Sequence, residues 1–437
     1  MRRTAALLGG TTTWGDCAAA IRFVARPKAL VQGDEIRAYE REFAGAIGVR
    51  HAFSFSAARV GFYGLLRAQG VGPGDEVLVP LPTHMVVANA VRYTGATPVF
   101  VDCRLSDYNV DLDEAEKSIT ARTKAIVVQH TFGIPVDLDR ALELARRHGL
   151  SLIEDCVHAL GATYKGRMIG SFGQAAFFST EETKIISSTM GGMLVTDDPE
   201  LAERLARFQE SCEWPPRRLV VKYLLKLLVY HALTEPRVHR VARPLYDALG
   251  GPNPLPRPTS AEEMRGLRPR GYERRLSNAQ AAIALRQLRR LDENVAHRRR
   301  IASVYERRLA ERGFRVPDRE TLEGGAFVRF PVWADDREAA VAAAAPSAVL
   351  GQWFSSVLNE SRDPADAGYA AGSCPNAEAA AGHLVNLPTH LRVRSEDAEG
   401  IAQLISAPSE RRRRVSTERR PQSAPGPGGG APGGSEA

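Results

Sequence analysis

Between about residues 75 and 200 the chain alternates short β-rich runs with helical patterns, and this alternation limits the fold more than any other feature. Val77-Leu78-Val79, Pro98 to Val101, Ala125 to Gln129, Leu152-Ile153, Ala175 to Phe178 and Met193 to Thr196 read as strands. His84 to Tyr93 lies between the first two runs. Val136 to His148 reads as a helix, with Leu138, Ala141, Leu142 and Ala145 on one face and Arg146 and Arg147 in its last turn. Strands separated by helices pair in parallel, because each crossover returns the chain to the same edge of the sheet. Ligands of such sheets sit beyond the carboxyl ends of the strands, where Asp155 and Ser179 fall.

The alternation accounts for less than half of 437 residues. One core stops growing at roughly 250 to 300 residues, so a second domain is expected. A second α/β unit with a strand over Val328 to Val332 and a closing helix over Ser395 to Ile405 supplies it. Between the two, Gln280 to Leu309 carries Ala281, Leu285, Leu288, Leu291 and Val295 on one face. That spacing predicts one long helix whose arginines, Arg289, Arg290, Arg298, Arg299 and Arg300, form a solvated face. The boundaries read as 1–265 for the large domain, 266–406 for the small one, and 407–437 for a disordered Arg/Pro/Gly-rich tail.

Charge argues against a general polyanion binder such as a nucleic-acid protein. Of the net +7, the stretch Trp214 to Pro258 holds +6 and the tail from Ala407 holds +3, which leaves −2 for the remaining chain. The five cysteines (Cys17, Cys103, Cys156, Cys212, Cys374) are widely spread with no CxxC pair, so neither a disulfide framework nor a metal site is expected. The apolar stretch Ala5 to Leu8 is too short for a secretory signal, and a cytoplasmic location is expected.

Chemistry concentrates in two stretches. Ser151-Leu-Ile-Glu-Asp-Cys-Val-His158 is a buried strand ending in carboxylates, with a histidine three residues after Asp155. Gly170 to Lys184 then brings Ser179 and Lys184 ahead of the pair Gly191-Gly192. A strand-end acid, a hydroxyl and a lysine near paired glycines suit an aldehyde cofactor: the lysine forms a Schiff base, the acid holds a protonated ring nitrogen, and the hydroxyl meets a phosphate.

These stretches, with Gly72-Pro-Gly-Asp-Glu-Val-Leu-Val-Pro80, Gly95-Ala-Thr-Pro-Val-Phe-Val-Asp102, His130-Thr-Phe-Gly133, Gly161-Ala-Thr-Tyr-Lys-Gly166, Arg275-Leu-Ser-Asn-Ala-Gln-Ala-Ala282 and Asn386-Leu-Pro-Thr-His390, closely resemble the DegT/StrS family of pyridoxal-phosphate-dependent sugar aminotransferases. The likeness runs from about Val31 to Ile405. It implies a fold-type-I, aspartate-aminotransferase-like α/β architecture, with a large mixed or parallel sheet domain and a smaller C-terminal one. It also implies pyridoxal 5′-phosphate as cofactor, an amino-acid donor (glutamate or glutamine), a keto-sugar acceptor, and a homodimer with shared active sites.

Carried over by position, the resemblance makes Lys184 the Schiff-base lysine, Asp155 the partner of the ring nitrogen, and His158 the neighbour of the ring hydroxyl. Ser179 matches a phosphate contact, and Ser56, Ala58 and Arg59 occupy the rest of the phosphate shell, where relatives usually have Gly-Thr at the last two positions. His84 replaces the aromatic residue that stacks on the cofactor. Met190 replaces the glutamate of a turn, and Glu273 replaces an asparagine near the phosphate, where Arg274 or Arg275 would have to pair it. Arg275, Glu273 and His130 are the candidates for substrate binding, with Arg275 reaching the partner's site.

The nearest enzymatic alternative is a pyridoxamine-phosphate-dependent sugar dehydrase, in which the family lysine is replaced; Lys184 argues against it. An alternative of another class is a degenerate scaffold or membrane-associated assembly partner. It is prompted by the altered phosphate shell and by Leu219 to Leu233, a nearly all-apolar run flanked by basic residues, with Lys222 and Lys226 one turn apart on one face. Within 214–258 this run suits peripheral contact with a membrane, or else an inserted helical hairpin packed on the body or on a dimer partner.

Overall fold

The computed structural model describes residues 4–7, 11–240, 258–317 and 319–405. Its centre is a seven-stranded sheet. The strands are β1 (His51–Phe55), β2 (Glu76–Pro80), β3 (Thr97–Val101), β4 (Thr123–Gln129), β5 (Ser151–Asp155), β6 (Ala175–Ser179) and β7 (Gly192–Thr196), in the order β1-β7-β6-β5-β4-β2-β3. The run β3-β2-β4-β5-β6 is parallel, as the alternation predicts. β7 departs from it, pairing antiparallel with both β6 and β1, so the sheet is mixed. The reason is local: β6 returns to β7 through a loop, residues 180–191, that has no crossover helix to reverse the direction.

Alternate residues of each strand enter different cores. Leu78, Ile126, Val128, Leu152, Ala176 and Phe178 pack on one face, while Val77, Val79, Ala125, Val127, Ile153, Ala175 and Phe177 pack on the other. A sheet buried on both faces reads as continuous apolar runs rather than alternating ones, which is the pattern seen here. Helices cover both faces. Among them are α1 (Trp14–Val24), α2 (Glu35–Ile47), α3 (Ala58–Ala68), α4 (Met85–Thr94), α5 (Leu138–His148) and α6 (Pro199–Ser211). A further core holds a two-stranded antiparallel sheet, β8 (Arg329–Trp333) with β9 (Leu384–Pro388), against Ile301, Tyr305 and Leu309.

Three expectations change. The helix expected over Gln280 to Leu309 is two: α8 (Asn278–Leu288), buried along almost its whole length beside α2, and α9 (Leu291–Ala310). The break falls at Arg289-Arg290, just before Asp292 and Glu293, which favour the start of a new helix by meeting its positive end. Nor do all five arginines face solvent. Arg298 is 2% exposed and donates to Asn294 Oδ1, the Phe327 and Val328 carbonyls and Thr389 Oγ1, while Arg299 donates to Gly325 O. Both pin α9 to the chain around β8.

The apolar run after Trp214 forms α7 (Arg217–Leu233), and its two lysines do not share an exposed face. Lys222 is exposed, while Lys226 is buried in an ion pair with Glu182 at 2.6 Å. Val220, Leu224 and Leu227 pack with Cys17, Ala20, Ala279 and Ile283, so this helix is seated on the body. No helix of the described residues is long and apolar enough to cross a membrane. Residues 241–257 of the basic stretch and the tail after 405 lie outside the described residues. All five cysteines are free and buried, Cys156 among them.

Leu224 is 1% exposed and Leu225 is 51% exposed. Leu224→Ala should cost about 2–5 kcal/mol through the cavity it leaves, whereas Leu225→Ala should stay within about 0.5 kcal/mol. Urea unfolding of the two variants checks the seating of α7; equal costs would contradict it.

Candidate active site

The parallel strands all end on one side of the sheet. At that edge the chain reverses its direction of travel between β2 and β4, opening a crevice. A cavity of about 540 Å³ occupies it. Gln129 enters from the end of β4, Asp155 from β5 and Ser179 from β6, and Thr83 and His84 follow β2. Thr83 Oγ1 donates to Gln129 Oε1 at 2.8 Å across the crevice. The loop after Ser179 supplies Glu181, Lys184 and Gly191, and the start of α3 supplies Ala57, Ala58 and Arg59. From later in the chain come Arg329 at the head of β8, Trp353 and Glu360. The short strand Leu358–Asn359 pairs with Thr83–His84 and holds that wall in place.

Burial dominates the electrostatics. Asp155 is 1% exposed; its Oδ1 accepts from Val157 N–H at 3.1 Å, while Oδ2 has no partner. Burial pushes its carboxyl up to about 7, against the opposing influence of the Val157 amide and the Lys184 charge. The Lys184 ammonium is pushed down to about 8 by burial, with Arg329 adding to the shift and Glu181, Asp155 and Glu360 opposing it. Its Nζ lies 4.3 Å from the centre of the Trp353 ring. The His158 ring is 4.7 Å from the same indole, its Nδ1 has no partner, and burial together with the Lys184, Arg329 and His84 charges holds it well below its ordinary range. An amine that loses its proton near neutrality beside a buried carboxyl is equipped for nucleophilic and proton-transfer chemistry.

Lys184, Asp155, His158, Ser179, Ala58, Arg59 and His84 all line this one cavity. Ser56 does not line it; its backbone N–H donates to Arg274 O beside the entrance to α3. Arg59 is at the wall, but its charge is already met by Glu263 at 2.6 Å, with a further hydrogen bond to Pro258 O. An arginine so engaged is not available to neutralise a phosphate. His84 meets Glu360 at 3.3 Å.

The three substrate-binding candidates stand apart from the cavity. Arg275 donates to the carbonyls of Glu210 and Cys212 and covers Trp214. Glu273 is paired by Arg268 at 2.7 Å, rather than by Arg274 or Arg275. His130 is fully buried between Glu154 and the Val136 amide, where it ties β4 to β5. Glu154 also accepts from the amides of Gly170, Phe172 and Gly173, so the buried His130 and Glu154 form a satisfied structural network, with Cys156 close beside them. Sequence reasoning missed Arg329, Trp353, Glu181 and Glu360. No local pattern marks Arg329, Trp353 and Glu360, because they join the site only when chain from near 330 to 360 folds onto the sheet; Glu181 stands within the Ser179 to Lys184 stretch, where the lysine and hydroxyl alone carry the reading.

Residues 15–406 match the family model described as the DegT/DnrJ/EryC1/StrS aminotransferase family. The GDP-perosamine synthase of Caulobacter vibrioides is 37% identical over 278 residues, covering 64% of this chain and 62% of that protein, so the chain matches less than two thirds of that relative's length. The UDP-N-acetyl-3-dehydro-alpha-D-glucosamine 3-aminotransferase of Acidithiobacillus ferrooxidans is 30% identical, covering 86% of this chain and 89% of that protein. Among solved structures, DesV of S. venezuelae in complex with a ketimine intermediate is 28% identical with a TM-score of 0.68, covering 92% of this chain and 98% of that one. The chain belongs to the DegT/DnrJ/EryC1/StrS aminotransferase family and has the fold-type-I architecture.

Pyridoxal 5′-phosphate is the cofactor of this family, and the residues present fit it. The unpartnered Asp155 Oδ2 and His158 Nδ1 are buried polar atoms that a polar ring would satisfy. A Cβ on Gly192 would lie 2.2 Å from Ala58 N, so glycine there lets the backbone close up at the start of α3.

Asp155 yields a sign-definite pH dependence. Its folded value, about 7, exceeds the ordinary 3.8, so the folded apoprotein retains a proton that the unfolded chain has lost between those limits. Its contribution is therefore fully present below pH 3.8 and is lost as pH rises through 7. Asp155→Asn removes this loss. The apo variant should match the native apoprotein near pH 4 and exceed it near pH 8, by up to about 4 kcal/mol. Denaturant titrations at the two pH values check this; an equal difference at both would contradict it.

Proposed function

We propose that this chain is a pyridoxal-phosphate-dependent aminotransferase that moves an amino group from glutamate or glutamine to a keto-sugar, most readily a nucleotide-linked keto-deoxysugar. The observation that carries the reading is the placement of a reactive amine, Lys184, in one cavity with a buried carboxyl whose second oxygen is unpartnered. The names of the relatives support the acceptor class: one is a GDP-perosamine synthase, the other acts on a UDP-linked 3-dehydro sugar.

When bound, the cofactor supplies an electron sink for the donor's α-carbon and a temporary carrier for its amino group. Lys184 would hold it covalently, and its Nζ, once free, would take the donor's α-proton and return it. An amine with a value near 8 is suited to both directions at neutral pH. Asp155 Oδ2, which has no protein partner, would hold the ring nitrogen, where a shared proton would relieve the cost of burying the carboxyl. His158, whose imidazole burial keeps uncharged, would meet the ring hydroxyl. Ser179 and the amides at the start of α3 would hold the phosphate, while Arg59, committed to Glu263, shapes that wall without a free charge for it. Trp353 and His84 bound the space and limit water, which preserves the low-dielectric setting of the lysine.

The reading includes a homodimer. The partly exposed Arg275, held away from its own cavity by Glu210 and Cys212, supports a role at a subunit contact. The presence of Lys184 supports an aminotransferase over a dehydrase.

Purified protein mixed with pyridoxal phosphate should develop a visible absorption band that glutamate or glutamine bleaches, and a keto-sugar should then restore it with formation of an amino sugar. Lys184→Ala should abolish the band and lower turnover at least about 10²–10⁴-fold. A native protein that develops no band at saturating cofactor would sink the proposal.

A further inference from the structure

Two arginines of the second core are almost fully buried, and they differ in what surrounds them. Arg298 is 2% exposed and fixed by hydrogen bonds to Asn294, Phe327 O, Val328 O and Thr389. Arg329 is 4% exposed, lines the cavity, and among the described residues has no hydrogen bond or ion pair to its guanidinium. Its Nε is buried without an acceptor. Its close companion is the Trp353 ring, 3.9 Å from Cζ. Burial pushes the group down to about 10, with Glu181 and Tyr230 opposing. Glu181 is not its partner: Oε2 accepts from the Thr183 amide and hydroxyl, and Oε1 is unpartnered.

A buried guanidinium without an anion is costly, so its place in a cavity wall signals an anion that arrives as ligand. The Trp353 indole also carries Lys184, whose Nζ is 4.3 Å from the ring centre. The reactive amine and the guanidinium are therefore gathered about one ring in one cavity. In an α-amino acid the amine and the carboxylate hang on one carbon, so a site that takes both needs this closeness. A phosphate would be met at Ser179 and the start of α3 instead, and a neutral sugar hydroxyl would leave the cation unpaired.

We propose that Arg329 receives the α-carboxylate of the amino donor as a bidentate pair, and so presents the donor's amino group at the Lys184 end of the cavity. This rests on the aminotransferase reading and adds the donor's binding residue to it. A carboxylate on a sugar acid has the same chemistry, and the experiment separates the two sources.

Full-length protein, apo and loaded with pyridoxal phosphate, is titrated with glutarate and with glucuronate by calorimetry and tryptophan fluorescence. Native protein should bind glutarate in preference to glucuronate, and Arg329→Gln should weaken glutarate at least ten-fold while keeping the visible band formed with cofactor. Arg329→Lys, which keeps the charge but loses the fork, should fall between them. Because no protein group is stranded by its removal, apo Arg329→Gln should have a thermal midpoint no lower than native. Unchanged glutarate affinity in Arg329→Gln, or in Arg329→Lys if the first variant does not fold, overturns the proposal, as does preference of the native protein for glucuronate. Failure of the aminotransferase reading shows itself separately, as absence of the visible band in native protein whose glutarate binding still depends on Arg329.

Discussion

Burial of charge at the carboxyl edge of the parallel strands is the constraint on which the site depends. The interior strands β4, β5 and β6 are covered on both faces, so their last residues have little water to turn to. Asp155 ends in that dry edge with one oxygen matched and one not, and the same dryness lowers the basicity of Lys184. Folding meets this cost through the packing of Phe177, Val127, Ile153 and their neighbours. Asp155 Oδ2 and His158 Nδ1, which lack partners here, are groups to which the proposed chemistry gives one.

The two parts of the chain divide the work. The sheet fixes the acid, the hydroxyl and the lysine loop, while the polypeptide around β8 adds Arg329, Trp353 and Glu360 as a second wall. Leu358–Asn359 joins them by adding a strand to Thr83–His84, and within the second part Arg298 ties α9 to the chain beside β8. The site is thus assembled from residues far apart in sequence, held by buried polar contacts as much as by apolar ones.

How much of this was legible in the sequence follows from what each feature depends on. The strands and the end-of-strand positions of Asp155 and Ser179 were readable because apolar runs and helix spacing are local. Lys184 was readable because it stands in an ordered series of short motifs. The antiparallel β7 was not, since strand direction is set by how the connecting loop closes. Arg298 looked like part of a charged surface because its position on the helix is amphipathic; only the carbonyls of Phe327 and Val328 make it an interior residue. His130, Glu273 and Arg275 were placed in the substrate site by resemblance alone, and their local partners Glu154, Arg268 and the 210–212 carbonyls claim them. Arg59 went the same way, because Glu263 lies 204 residues along the chain.

The most direct test of the central claim asks which atom the cofactor is attached to. Protein incubated with pyridoxal phosphate is reduced with borohydride, digested and mapped by mass spectrometry. The account predicts one stoichiometric pyridoxyl-phosphate label on the peptide containing Lys184, absent from Lys184→Ala. A label at another lysine, or scattered substoichiometric labelling that Lys184→Ala leaves unchanged, would contradict it.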